Sequence, residues 1–304
     1  MVFDKRTLVI PSNTTFEERT IVTKGDVIVS DRCEVHFGLL TDERIFVGEN
    51  VIIQGNLIAK EDIHIDMWSR VIGDIDGKND IYLGEKVKVD GRVKVGKDLD
   101  VGNDVKVKEF DARGWVNIRN PIPIVIYLFI YLLQLLSQGK SEQVEQILKE
   151  LEEEQKSEKM KVSEIFLFIP RDSFIHPQQL RLKGNCRIGD RCRVIGNYFV
   201  SGDVKVGNET EIYGAIKSKG NVSIGRNTTV QGNVECKGKL TVDSNSKILG
   251  DVKSNSVEIC KNSTINGTIH ALNGVRFRNP QPKEITEKIE RFERGLDDLD
   301  GVIV

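Results

Sequence analysis

Along most of the chain, aliphatic and polar residues alternate over short runs, as in Val87-Lys88-Val89 and Val93-Lys94-Val95. Alternation with period two places one set of side chains inside a packed wall and the other in water, which predicts short half-buried strands. These runs return at a fixed interval. An aliphatic residue followed by a turn residue occurs at Val47-Gly48, Ile65-Asp66, Leu83-Gly84 and Val101-Gly102, each pair 18 residues after the last. The same series resumes at Ile188-Gly189, Val206-Gly207, Ile224-Gly225 and Val242-Asp243. A fixed period of this kind predicts a solenoid, in which each turn buries its apolar side only by stacking on its neighbours.

Glycines share the period at Gly55, Gly73 and Gly91, at Gly184, Gly202, Gly220 and Gly238, and at Gly196, Gly214, Gly232 and Gly250. Three turn positions per 18 residues predict three short strands per coil, with corners where glycine or asparagine tolerates positive φ. The expected fold is mainly β: two triangular parallel β-helices joined by an α-helical insertion, with a short C-terminal helix. Val101 and Ile188 are 87 residues apart (188 − 101), which is not a multiple of 18, so the two series are separate registers. The expected division is an N-terminal β-helix over 1–119, a helical insertion or linker over 120–179, a C-terminal β-helix over 180–279 and a helical tail over 280–304. One coil is shortened between Val242 and Ile259. With strands stacked about 4.8 Å apart, about five coils make a rod roughly 25 Å long.

The insertion differs in character. Ile124 to Leu136 (IVIYLFIYLLQLL) is apolar except for Gln134 and the tyrosine hydroxyls. It falls short of the ~20 residues needed to cross a bilayer, so the expectation is a helix buried against a flank or end of a β-helix. The alternative is contact with a membrane or partner through Ile126, Tyr127, Phe129 and Ile130, because tyrosine-edged apolar helices suit a lipid interface. Val144, Ile147, Leu148 and Leu151 then follow helical spacing among charges. In the tail, Ile285, Ile289, Phe292 and Leu296 do the same.

Composition narrows the function. With 39% hydrophobic and 30% charged residues among 304, the chain is long enough for two cores, and a formal net charge of -2 gives no general attraction to nucleic acid. No cleavable signal peptide is visible, because the first six residues lead into a polar stretch; a cytoplasmic location is expected. Cys33, Cys186, Cys192, Cys236 and Cys260 are odd in number and form no CxxC pair, as expected of reduced core thiols. No cofactor, metal or catalytic residue is expected.

The main enzymatic rival is a hexapeptide-repeat acyltransferase, since Ile188, Val194, Val200, Val206 and Ile212 keep six-residue spacing. That chemistry needs a histidine base in a cleft. His36, His64, His176 and His270 lack a recognisable context, and His36 and His64, 28 residues apart, cannot share a coil position in a zinc site. Gly91 to Gly96 lies in the repeat and opens no helix, so it is not a phosphate loop. Arg70, Lys88 and Lys106 predict a small outward basic ladder.

The stretches Gly232 to Val242, Ile248 to Lys253 and Thr264 to Ile269 resemble the bactofilins. The likeness is best from Lys183 to Ala271 and looser from Gly25 to Lys108. It implies a right-handed triangular β-helix and nucleotide-independent filaments formed by stacking β-helix ends, with many members at the inner face of the membrane. Met1-Val2-Phe3 followed by Lys5-Arg6 is similar to the membrane-binding N-terminal peptide of some members, which makes Val2 and Phe3 further membrane candidates. The chain departs from the pattern in having two β-helical parts and an insertion. The expected function is self-assembly or scaffolding, with the chain itself as partner and Val27, Val29, Ile259 and Ile265 in the assembling coils. The alternatives are a scaffold that never polymerises and an acyltransferase-like enzyme.

Overall fold

The 18-residue spacing becomes a spatial one. In a computed structural model, which describes residues 4–119, 122–141, 143–149 and 162–279, residues one period apart sit side by side on parallel strands. Ile63 lies between Ile45 and Ile81, and Ile65 between Val47 and Leu83. The chain divides into two compact units, one of residues 24–167 and one of residues 1–23 with 168–304.

Within the unit of residues 24–167, most coils contribute three strands. Ile63–Ile65, Arg70–Val71 and Ile75–Gly77 form one such coil, and the next coil repeats them with Ile81–Leu83 and the long strand Lys88–Val95. The inward residues Ile63, Ile65, Val71 and Ile75 have no exposed surface. Each such aliphatic side chain contributes roughly 1.5–3 kcal/mol when withdrawn from water. The outward Arg70, Lys88 and Lys106 stand in register as a basic ladder. Asp90 supplies its counter-charge, 2.7 Å from the Arg70 guanidinium.

The unit of residues 1–23 and 168–304 is built alike. Cys186–Ile188, Arg193–Ile195 and Asn197–Val200 make one coil. The shortened coil is present, with Val242 opposite Ile259. Residues 1–23 group with this unit and not with the coils that follow them in sequence. Leu8–Ile10 runs parallel to Cys186–Ile188, placing the apolar Leu8 and Ile10 over Cys186 and Ile188. All five cysteines are free and buried. Burial pushes the Cys186 thiol up to about 12 and the Cys236 thiol up to about 11, so neither is a nucleophile at neutral pH.

Apart from Gly196, which has φ +95°, the glycine columns have a different cause from the one expected. Gly55 and Gly73 lack positive φ, which in this unit falls mainly on Arg32, Asn50, Trp68, Lys86 and Asp104, one per coil. What demands glycine is the close approach of adjacent coils: a Cβ on Gly73 would lie 2.5 Å from the Gly55 carbonyl oxygen. Asparagine and aspartate hold other corners together. The Asp203 amide donates to Asn185 Oδ1 (2.9 Å), the Asn221 amide to Asp203 Oδ1 (2.7 Å) and the Lys239 amide to Asn221 Oδ1 (2.9 Å). Each coil thereby satisfies a backbone donor of the next.

The apolar helix is not buried as expected. Helix α1 (Ile122–Ser137) ends where Gly139 adopts φ +72° and the Lys140 amide donates to the Leu135 carbonyl. Leu135 is buried, but Ile126, Tyr127, Phe129, Ile130, Tyr131, Leu133 and Leu136 are all exposed. The amphipathic segment continues helically over 143–149, with Val144 buried and Leu148 exposed. The tail from residue 280 onward lies outside the described residues.

Gly73→Ala is expected to destabilise the protein by about 1–3 kcal/mol in urea unfolding, because a methyl group is forced against backbone. Lys86→Gly, at an exposed position with φ +57°, is expected to leave the midpoint unchanged or raise it slightly. Equal losses at both sites would contradict the close-approach explanation.

Candidate assembly surface

In a stack of coils, each inward column must end somewhere, and its last member has no coil above it. In the unit of residues 1–23 and 168–304, the last described coil comprises Thr264–Ile265, Ile269–Ala271 and Val275–Arg278. Ile248 is fully buried and its successor Ile265 only half-buried. Val252 and Val257 are buried, whereas Ile269 and Val275, which follow them, are exposed. Ile259 gives way to Phe277, which is 61% exposed.

The unit of residues 24–167 ends similarly. Buried Val93 is followed by exposed Phe110, buried Leu99 by exposed Val116, and Val101 by Ile118, which is 74% exposed. Each final coil therefore presents an apolar triangle rimmed by a strand edge whose outer peptide groups have no further described coil to pair with, a template for adding another strand. Lysines and arginines decorate the rims. Arg278 is ion-paired with Asp243 and lies 3.9 Å from Glu258, which places its charge on the flank of the stack.

Of the four residues singled out from sequence, Val27 and Val29 are buried under Ile45 and Val47, and Ile259 under Phe277. Ile265 alone of the four lies in a final described coil. Ile269, Val275, Phe277, Phe110, Val116 and Ile118 were missed, although each is legible as the last member of its column. Among the membrane candidates, Val2 and Phe3 lie outside the described residues. Ile126, Tyr127, Phe129 and Ile130 are all exposed on α1, Tyr127 by 74%. No helix among the described residues is long and apolar enough to cross a membrane.

The histidines are distributed over separate places. His36 Nε2 lies 2.6 Å from Glu34 Oε1 and 3.3 Å from Gln54 Nε2. His64 is sandwiched in an outward ring column, 5.2 Å from Phe46 and 5.7 Å from Tyr82. Burial between those rings holds its pKa below the ordinary imidazole value, with Asp62 and Asp80 opposing and Arg44 assisting the shift. His176 Nδ1 accepts the Gln178 amide, and His270 stands beside Lys253 in the final coil. Among the described residues, no group of three or more His, Cys, Asp or Glu is placed to hold a metal ion.

Residues 170–270 match the family model Bactofilin, described as polymer-forming cytoskeletal. The matched span covers most of the C-terminal coils and, with their β-solenoid architecture, makes this part of the chain bactofilin-like. No curated protein and no solved structure matches the chain.

Proposed function

We propose that the chain is a structural protein that assembles with copies of itself by joining the final coils of its β-solenoid units, without nucleotide and without catalysis. The observation that carries this reading is the exposure of Ile265, Ile269, Val275 and Phe277, members of inward columns that are buried one coil earlier. Coil-on-coil stacking would extend the same columns and pair the outer strand edge with another chain. The match to a polymer-forming family over residues 170–270 supports it. Five free, buried cysteines suit a reducing compartment, and a cytoplasmic location is part of the proposal.

We also propose that α1 rests on a membrane surface. Its 16 residues carry no charged side chain. Ile126, Phe129, Ile130 and Leu133 share an exposed face with tyrosines at its edge, the pattern of a helix lying in the lipid interface. A self-assembled array would multiply a weak attachment of each copy.

Purified full-length protein, imaged by negative-stain electron microscopy without nucleotide, is expected to show ordered polymers. Combining Ile265→Lys with Phe277→Lys is expected to abolish them while the circular dichroism spectrum is retained. Polymers that persist unchanged in this double variant would exclude the C-terminal coil as the joining surface. For α1, flotation with phosphatidylcholine vesicles is the test. Phe129→Lys with Ile130→Lys is expected to lower the bound fraction at least about tenfold, and binding that is absent in the parent or unaltered in the variant would contradict the proposal.

A further inference from the structure

A second repeat, longer than a coil, runs through the chain. Adding 159 to a residue number in the first half gives its counterpart in the second. Leu8-Val9-Ile10-Pro11 corresponds to Leu167-Phe168-Ile169-Pro170, and Asp31-Arg32-Cys33 to Asp190-Arg191-Cys192. Gly25, Gly48, Gly55, Gly73 and Gly91 correspond to Gly184, Gly207, Gly214, Gly232 and Gly250. Because 159 is not a multiple of 18, the coil period alone does not produce this match.

The backbone repeats with the sequence. Positive φ occurs at Asn13, Arg32, Asn50, Trp68 and Lys86, and again 159 residues later at Asp172, Arg191, Glu209, Asn227 and Asn245. Even a local turn is copied: Thr14 Oγ1 donates to the Pro11 carbonyl (2.8 Å), and Ser173 Oγ to the Pro170 carbonyl (2.5 Å). The chain is a tandem duplication.

The segments leading into the two repeats are exchanged as far as Leu167, whereas Phe168–Ile175, the counterpart of Val9–Phe16, groups with the coils of its own repeat. The unit holding the coils of the second repeat also holds residues 1–23, and the unit holding the coils of the first repeat extends to Leu167. One close contact corresponds directly. A Cβ on Gly184 would lie 1.8 Å from the Arg6 carbonyl oxygen, and a Cβ on Gly25 would lie 1.9 Å from that of Ile165; 6 + 159 is 165, and 25 + 159 is 184. The Leu8 amide donates to the Asn185 carbonyl (2.9 Å). In the other unit, the Ser163 amide donates to Asp26 Oδ2 (2.7 Å), a fully buried carboxylate also held by Arg44.

The pairing register adds an independent sign. Val9 lies antiparallel opposite Phe168, its own counterpart. Thr15 faces Val22 and Phe16 faces Ile21, while Phe174 faces Arg181 and Ile175 faces Leu180, the same pairs moved by 159. An antiparallel contact centred on a residue and its own copy is the signature of an isologous self-association contact.

We infer that the first coil of the second repeat carries a docking edge for the leading arm of another copy of the repeat, and that duplication supplies this copy within one chain. The edge is a self-association surface separate from the final coils, and it is filled in cis by Leu8–Phe16. The inference holds whether or not the protein polymerises.

The test exchanges one arm for the other in the full-length chain. Replacing residues 8–16 (LVIPSNTTF) by the sequence of residues 167–175 (LFIPRDSFI) is expected to keep the thermal midpoint within a few degrees of the parent. A scrambled order of the same nine residues is expected to lower it clearly further. A second variant, Val9→Cys with Phe168→Cys, places thiols on an antiparallel pair within disulfide reach. Mild oxidation is expected to link positions 9 and 168 within a monomer, as read by peptide mass spectrometry. An arm exchange as damaging as the scramble would overturn the equivalence of the arms. A link found only between chains, or no link, would overturn their pairing in cis.

Discussion

Everything in this protein rests on one constraint: the residue 18 positions ahead must arrive directly beside its predecessor, at strand spacing. Parallel backbone pairing enforces it on all three faces, and the inward columns Ile45, Ile63, Ile81, Leu99 and Val47, Ile65, Leu83 draw their burial from it. The corner chemistry follows from the same requirement. Gly55 and Gly73 are glycine because adjacent coils leave no room for a methyl group. Asn185, Asp203 and Asn221 recur because each can accept the amide of the following coil.

A stack stabilised this way has a weakness at its ends, where burial stops but the column does not change its chemistry. Phe277 and Ile118 remain apolar although they face water. A protein selected only to remain monomeric would place charge there, as edge strands commonly do. The proposed assembly turns that weakness into a joining surface. At the opposite edge of the second repeat's coils, the arm Leu8–Phe16 provides the partner that the final coil lacks.

The coil repeat was legible in the sequence because stacking demands it at every turn, so an aliphatic residue followed by glycine or aspartate returns at each coil within each series. The shortened coil at Val242 and Ile259 could be located for the same reason. The grouping of Leu8–Ile10 with Cys186–Ile188 was not legible from the coil period, since a single arm strand carries no periodicity to register it. The positive-φ corner was partly concealed, because Arg32, Trp68 and Lys86 occupy it alongside asparagines such as Asn50, where glycine or asparagine was anticipated. Hydropathy identified α1 as a helix, but hydropathy reports what a side chain avoids and not what covers it, so burial was the wrong expectation. The candidate surface suffered from a related ambiguity. Val29 and Ile118 look alike as sequence, and only position within the stack separates the buried residue from the exposed one.

The most direct measurement is hydrogen exchange on the full-length protein, comparing a dilute, dispersed sample with an assembled one. If the final coils join, amides of residues 107–118 and 264–278 should gain protection on assembly, and the interior coils, already slow, should change little. Gains confined to α1 or to the arm residues 8–22, with the final coils exchanging at the same rate in both samples, would contradict the account.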